Sequence, residues 1–250
     1  MSGRLRTALK RLERRLRRRS PKRDPYAITR ELVAAREPMI FDVGANVGQT
    51  ALRYREIFPS ATIHCFEPFP PSFERLREAL ERDAKARLHL LALAASGGSA
   101  RLKANRSAAT NSLLASDRRA AHYWGGGLLD TEHEVEVQTR TLDEFCSSEG
   151  IGHVDVLKLD VQGAEYAVLE GAREMLAAQR IDVIYMEVIT APTYVGQREL
   201  HEYLALLHER GYRLFDFYNP ARRDGRLIQS DIIVVSTQFL ERYEGARTVG

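Results

Sequence analysis

The stretch Met39-Ile40-Phe41-Asp42-Val43-Gly44-Ala45-Asn46-Val47-Gly48 constrains this chain more than any other, because an apolar run passes directly into a turn punctuated by glycines. The run reads as a buried strand over residues 39–43, and the pattern after it as a helix over 47–58. A strand that turns tightly into a helix opens a parallel βαβ unit, in which a ligand binds beyond the strand's carboxyl end. Gly44 and Gly48 let main chain come close to such a ligand. A second strand, 61–66, ends at Glu67; its distance from Asp42 is close to the ~20 residues after which an acid meets ribose hydroxyls in nucleotide-binding units. The competing reading is a glycine turn that only packs strand on helix.

Asp42 narrows the ligand. Dinucleotide-binding turns use G-x-G-x-x-G to receive a pyrophosphate on bare amides, whereas this turn is G-x-x-x-G with a carboxylate before it, which repels phosphate. S-adenosylmethionine has no phosphate and carries an ammonium and a sulfonium, so an acidic turn suits it.

The rest of the chain alternates. A short helix over 28–36 is broken by Pro38, and Phe73, Leu76 and Leu80 have helical spacing after Pro70 and Pro71. A third strand, 87–94, ends in Ala95-Ser96-Gly97-Gly98, where main chain at Ala94 is expected to face an adenine. Val135, Val137 and Thr139 alternate as an added strand before a short helix over 142–146. A strand over 154–159 reaches Asp160 and a helix follows over 163–176; a strand over 183–186 ends at Glu187. Leu200, Leu204 and Leu207 mark a helix capped at Gly211, and 212–217 with 232–235 read as a closing hairpin around Asn219-Pro220 and Gly225. This order predicts an α/β, doubly wound, mostly parallel sheet. At 250 residues, one domain is expected over 39–240, preceded by a basic arm (1–23) and a linker with its helix (24–38), and followed by a tail (241–250).

The blocks Phe41-Asp42-Val43-Gly44-Ala45-Asn46-Val47-Gly48-Gln49, Cys65-Phe66-Glu67-Pro68 and Leu157-Lys158-Leu159-Asp160-Val161-Gln162-Gly163-Ala164-Glu165, with Leu169-Glu170-Gly171-Ala172, resemble the FkbM family of S-adenosylmethionine-dependent methyltransferases over about residues 37–236. The resemblance implies a class I methyltransferase (Rossmann-like) fold with strand order 3-2-1-4-5-7-6 and an antiparallel last hairpin. It also implies O-methylation of a hydroxyl on a sugar, glycan, glycolipid or secondary-metabolite acceptor. Cofactor contacts are expected from Asp42, Gly44, Ala45, Asn46, Gly48, Glu67, Pro68, Ala94 and Asp160, and Asn111-Ser112-Leu113 matches an element such proteins carry.

A sulfonium methyl is already activated, so the protein must align the acceptor, exclude water and take the hydroxyl proton. Asp160 and Glu187 end the strands expected at the crevice: Asp160 for donor or acceptor contact, Glu187 as base or hydrogen-bond acceptor, or both as mere caps. They are also candidates to share a magnesium ion, though no third acidic ligand is evident and no metal is expected. The irregular segment 105–130 offers Asn111, Ser112, Tyr123 and Trp124 as acceptor-binding residues and His122 as a catalytic histidine, either as a mobile aromatic wall or as an exposed linker. His64 reads as a packed strand position and His201 and His208 as surface residues. Asp160-Val161-Gln162-Gly163 lacks the Asn-Pro-Pro-Tyr pattern of base N-methylation, which favours a hydroxyl acceptor.

The net charge of +3 conceals an asymmetry: residues 1–23 hold eleven Lys or Arg against Glu13, a segment charge of +10, which leaves −7 for the other 227 residues. Leu5, Leu9, Leu12 and Leu16 recur at helical spacing among those arginines, giving a cationic helix that suits an anionic membrane surface, a nucleic acid or a solvated role. Nucleic acid ranks last, because the body shows no basic groove interleaved with aromatics. With no apolar signal segment and only Cys65 and Cys146, the expectation is a reduced, cytoplasmic protein, peripheral at the inner membrane face if the arm binds lipid. Rival functions are a nucleic-acid-modifying or nucleic-acid-binding protein steered by the arm, and a cofactor-binding scaffold without catalysis.

Overall fold

The structure, a computed structural model, describes residues 24–248, with side chains through 245; the arm of residues 1–23 and its leucine stripe lie outside the described residues. Helix α1 (Pro25–Leu32) starts where the Asp24 carboxylate accepts the Tyr26 amide at 3.0 Å and Pro25 occupies a position that needs no amide donor. It begins earlier and ends earlier than the 28–36 expectation. Ile28, Leu32 and Val33 are buried, so this segment belongs to the domain rather than to a linker.

The chain then alternates through β1 (Met39–Val43), α2 (Gln49–Ile57), β2 (Thr62–Phe66), α3 (Pro70–Ala79), β3 (Ala86–His89), β4 (Ala92–Leu93), β5 (Gly98–Asn105) and α4 (Ala120–Trp124). It continues with β6 (Thr131–Arg140), α5 (Leu142–Glu149), β7 (Val154–Leu159), α6 (Glu165–Glu170), α7 (Arg173–Ala177) and β8 (Ile181–Ile189). Helix α8 (Leu200–Glu209), the hairpin β9 (Tyr212–Arg223) and β10 (Arg226–Ser236), and α9 (Thr237–Thr248) complete it. The main sheet runs β3-β2-β1-β7-β8-β10-β9, parallel except at β10, which pairs antiparallel with both neighbours. Numbered within this sheet alone, that is the order 3-2-1-4-5-7-6 of a class I methyltransferase.

Alternation along the strands builds a core on each face. Phe41, Val43, Phe66, Leu157 and Leu159 pack with Leu142, Phe145, Val168 and Leu207 of one helical layer, while Ile40, Ile63, Val156, Val183 and Ile233 pack with Leu32, Tyr54, Leu76 and Phe239 of the other.

Several elements depart from expectation. Residues 87–94 are not one strand: β3 ends at His89, and Ala92–Leu93 joins a small second sheet, β4-β6-β5. Strand β5 lacks an alternating apolar pattern, since only Leu102, Ala104 and Asn105 of its eight residues are buried. The 163–176 helix is broken in two at Gly171, where the carbonyl of Ala94 comes so close that an added Cβ would lie 2.1 Å from its oxygen. Strand β8 runs to Ile189, so Glu187 lies inside it rather than at its end. The hairpin turn is at Asp224-Gly225; Asn219 and Pro220 are irregular positions within β9, an edge strand that tolerates a proline. The expected tail continues as α9, where Arg242 bonds Asp182 at 2.8 Å. Among the described residues no helix is long and apolar enough to cross a membrane.

Candidate active site

Register places the acidic residues together. Asp42 of β1 pairs with Lys158 of β7, Lys158 with Tyr185 of β8, and Glu187 of β8 with Asp231 of β10. Paired residues project to the same face of a sheet, and one further step along β7 sets Asp160 beside Glu187. A polar stripe therefore crosses four strands on the face covered by α1 and α2. Lys158, 3% exposed, is its cation: Nζ lies 3.5 Å from Asp160 Oδ2 and 4.8 Å from the Tyr185 ring centroid. Burial alone would push its ammonium pKa down, but Asp160, Asp231, Asp42 and Glu187 together more than offset this and hold it above the ordinary value.

The turn after β1 fits its glycine closely. Gly44 has φ +83°, and a Cβ there would lie 1.9 Å from the carbonyl oxygen of Asp160. The amides of Gly44 and Ala45 both donate to Phe66 O at 3.0 Å, and Gly48, at φ +93°, leads into α2. Beneath the turn Asp42 is 1% exposed, and its Oδ2 has no hydrogen-bond partner. Burial raises its pKa to about 7, with Lys158 opposing and Asp160 and Glu67 adding to the rise. Glu67 crosses from β2 to the turn: Oε2 accepts the Asn46 amide and Oε1 the Phe69 amide, each at 2.8 Å. Its pKa is likewise raised by burial, partly countered by those two amides.

Above these residues opens a crevice of about 240 Å³. Val43, Gly44, Asn46, Glu67, Pro68 and Asp160 line it, and Asn111 and Ser112 roof it from the small-sheet insert. Ala94 does not line it: its amide donates to Arg140 and its carbonyl faces Gly171, so Leu91, Ala92 and Leu93 form that wall instead.

Gln162 is the hub that sequence reasoning missed. It lies at φ +54°, an unusual conformation for a residue with a side chain. Its Nε2 donates to Asp160 Oδ1 at 2.9 Å and to Glu187 Oε2 at 3.1 Å, while Oε1 accepts from the Tyr194 hydroxyl at 3.0 Å. Its carbonyl accepts from Ser112 Oγ at 2.7 Å, so the Ser112 hydroxyl is engaged in holding this loop. Gln229 also donates to Glu187. Burial drives the Glu187 carboxyl well above the usual range, with Asp160 and Glu165 reinforcing the effect.

The segment 105–130 divides: Asn111 and Ser112 roof the crevice, whereas the aromatic stretch 122–124 is neither a wall of it nor a free linker. Trp124 packs beside Ala120, Leu129, Ile189 and Tyr194, and its indole N–H donates to Thr193 Oγ1 at 2.7 Å. His122 is exposed, edge-on to Tyr123, and Tyr123 is held by the β9–β10 hairpin; none of His122, Tyr123 and Trp124 lines the crevice. Anchoring by side-chain bonds to distant strands leaves no periodic trace in sequence. Lys158 did leave one, as a lone cation in the apolar strand Val-Asp-Val-Leu-Lys-Leu.

Among the described residues, the group with metal-ligand spacing is His153, Asp155 and Asp182, at the opposite edge of the sheet, where Arg242 and the Met39 amide already engage the two acids.

The crevice fits S-adenosylmethionine on an unsatisfied buried donor in its roof, Asn111 Nδ2. Asp42, whose Oδ2 is also without a partner, lies beneath the glycine turn rather than in the crevice lining. Buried Asp42 and Glu67 flanking the turn disfavour a pyrophosphate. Comparisons with known proteins agree. The chain is 32% identical, over 68% of its length and 71% of the relative's, to the 2-O-methyltransferase NoeI of Sinorhizobium fredii. It is 27% identical to the hexuronic acid methyltransferase AglP of Haloferax volcanii, over 62% of this chain and 57% of that one. The crystal structure of an FkbM methyltransferase from Methylobacillus flagellatus superposes with a TM-score of 0.52 at 12% identity, covering 79% of this chain and 44% of that one, which bears on the fold alone. Residues 42–214 match the family model for the methyltransferase FkbM domain, and the chain belongs to that family of S-adenosylmethionine-dependent methyltransferases.

Proposed function

We propose that this methyltransferase acts on a sugar hydroxyl of a glycan, glycolipid or secondary-metabolite acceptor, with Glu187 receiving the hydroxyl proton and Asp160 orienting the hydroxyl. The observation that carries the reading is the single Gln162 amide bonded to both carboxylates beside the glycine turn. The turn residues Gly44 and Asn46, with Asp42 beneath and Glu67 alongside, would hold S-adenosylmethionine, which when bound supplies an activated methyl group. A hydroxyl entering next to Gln162 meets Asp160 on the crevice wall, with Glu187 one hydrogen bond further on through Gln162. The high pKa of Glu187 makes its ionised form a strong base, matched to an alcohol better than an ordinary carboxylate is. Ala108, Ala109, Asn111, Ser112 and Leu113 border the crevice from the insert. Two relatives that carry "2-O-methyltransferase" and "hexuronic acid methyltransferase" in their names support an oxygen acceptor on a sugar. The charge of the arm suits an anionic membrane surface that presents a lipid-linked acceptor.

The test is calorimetry with S-adenosylhomocysteine, with NADH as control, followed by methyl transfer to a panel of sugars read by mass spectrometry. Glu187→Gln should keep S-adenosylhomocysteine binding and lose roughly a hundredfold or more in turnover. Undiminished turnover would remove Glu187 as the base, and NADH binding in place of S-adenosylhomocysteine would remove the donor.

A further inference from the structure

The β9–β10 hairpin tip stands at the carboxyl edge of the sheet, beyond the end of β8. Because β10 is antiparallel to β8 and to β9, the carboxyl end of β9 and the turn at Asp224-Gly225 stand at the same edge as Asp160 and Glu187. The pairing of β10 with β8 starts at Gln229↔Ile189, so Arg226 and Leu227 pair with β9 alone, beyond the last residue of β8. At that tip Arg223 and Arg226 are direct cross-strand partners and both are exposed. Like charges placed opposite one another destabilise a hairpin. Neither guanidinium has a carboxylate within ion-pair distance among the described residues. Tyr123 holds them instead: its carbonyl accepts from Arg223 at 2.9 Å, its hydroxyl from Arg226 at 3.3 Å, and its ring centroid lies 5.7 Å from the Arg226 guanidinium. Each contact uses one N–H of five, so most donors remain available. The body carrying this pair is otherwise acidic, at −7 for residues 24–250. Gln229, three residues from Arg226, bonds Glu187, which sets the arginine pair roughly 10 Å beyond that carboxylate at the rise of an extended strand. That span is within reach of a short saccharide whose hydroxyl sits at Asp160 and Glu187.

We propose that Arg223 and Arg226, clamped on Tyr123, are an anion-binding rim that seats a carboxylate or phosphate of the acceptor, so the acceptor is an acidic rather than a neutral glycan. Guanidinium groups match the planar oxygens of a carboxylate or a phosphate. This proposal rests on the methyltransferase reading of the crevice and adds the charge of its substrate.

The experiment is titration calorimetry on the full chain saturated with S-adenosylhomocysteine, using D-glucuronate, D-glucose 6-phosphate and D-glucose as probes. One or both anionic sugars should bind roughly tenfold or more tightly than glucose. The stronger of the two identifies the group as carboxylate or phosphate. R223Q/R226Q should abolish the advantage, R223K/R226K should keep part of it, and added salt should shrink it. The basic arm is present in every variant, so its unspecific attraction cancels in the comparison. Equal binding of all three sugars, absence of binding, or an advantage that survives R223Q/R226Q would overturn the rim. Failure of the unmodified chain to bind S-adenosylhomocysteine would instead count against the donor site.

Discussion

Asp42 shows how much one buried carboxyl decides. Its pKa rises from 3.8 to about 7 because the folded chain removes it from water. A group that binds its proton more tightly in the folded state favours folding at low pH. Stability should therefore fall as pH rises from about 4 to about 7 and level off above, by at most on the order of 4 kcal/mol for a shift of this size. Glu165, also raised to about 7 by burial while Oε1 holds the Val161 amide, acts in the same direction. Urea denaturation at pH 5 and pH 8 should show the unliganded protein more stable at pH 5, and Asp42→Asn should flatten but not erase the difference. The same variant should weaken S-adenosylhomocysteine binding about tenfold, since removing one charge from a buried pairing is worth a few kcal/mol at most; unchanged affinity would take Asp42 out of the donor site. Asp42 and Glu67 were legible because position in a strand–turn–helix–strand unit dictates what an acid there faces. Gln162 and Tyr194 were not, because their roles depend on a left-handed backbone conformation and on a bond that joins residues 32 apart.

At the scale of elements, the central strands of the main sheet were readable because they are mostly apolar and buried, as β8 illustrates with nine buried residues in succession. Of the small sheet only β6 was readable, from Val135, Val137 and Thr139; β5 was not, because it buries few side chains and is held by its ladder with β6. The break between α6 and α7 belongs to the same class: apolar spacing continues through it, and the helix is interrupted at Gly171, where the Ala94 carbonyl approaches. That contact is testable against a matched control. Gly171 has no positive φ, so Gly171→Ala meets only the collision with Ala94 O at 2.1 Å, whereas Gly152→Ala meets nothing within 4 Å. Denaturant unfolding should find Gly171→Ala destabilised by about 2 kcal/mol or more and Gly152→Ala within about 0.5 kcal/mol of the parent. Equal effects would mean that the strand-to-insert junction yields freely and does not position Leu91 to Leu93 on the crevice wall.

The whole molecule joins a body of net charge −7 to an arm of +10. These charges act in opposite senses at an anionic surface, where each Lys or Arg contributes about 1 kcal/mol of attraction within a Debye length. The body alone is repelled, so attachment would have to come from the arm. Helix α1 is capped by Asp24 without any contribution from residues 1–20, so removing them should leave the melting temperature unchanged. In flotation with vesicles, the full chain should accompany bilayers containing anionic phospholipid and ignore those of phosphatidylcholine alone, and the chain without residues 1–20 should accompany neither. Raising salt to about 0.5 M should release the full chain, since screening shortens the reach of the arm's charge. A truncated chain that still floats with anionic vesicles would place the membrane contact on the body, and a full chain that floats with neither would leave the arm solvated and the acceptor free of any need to be lipid-linked.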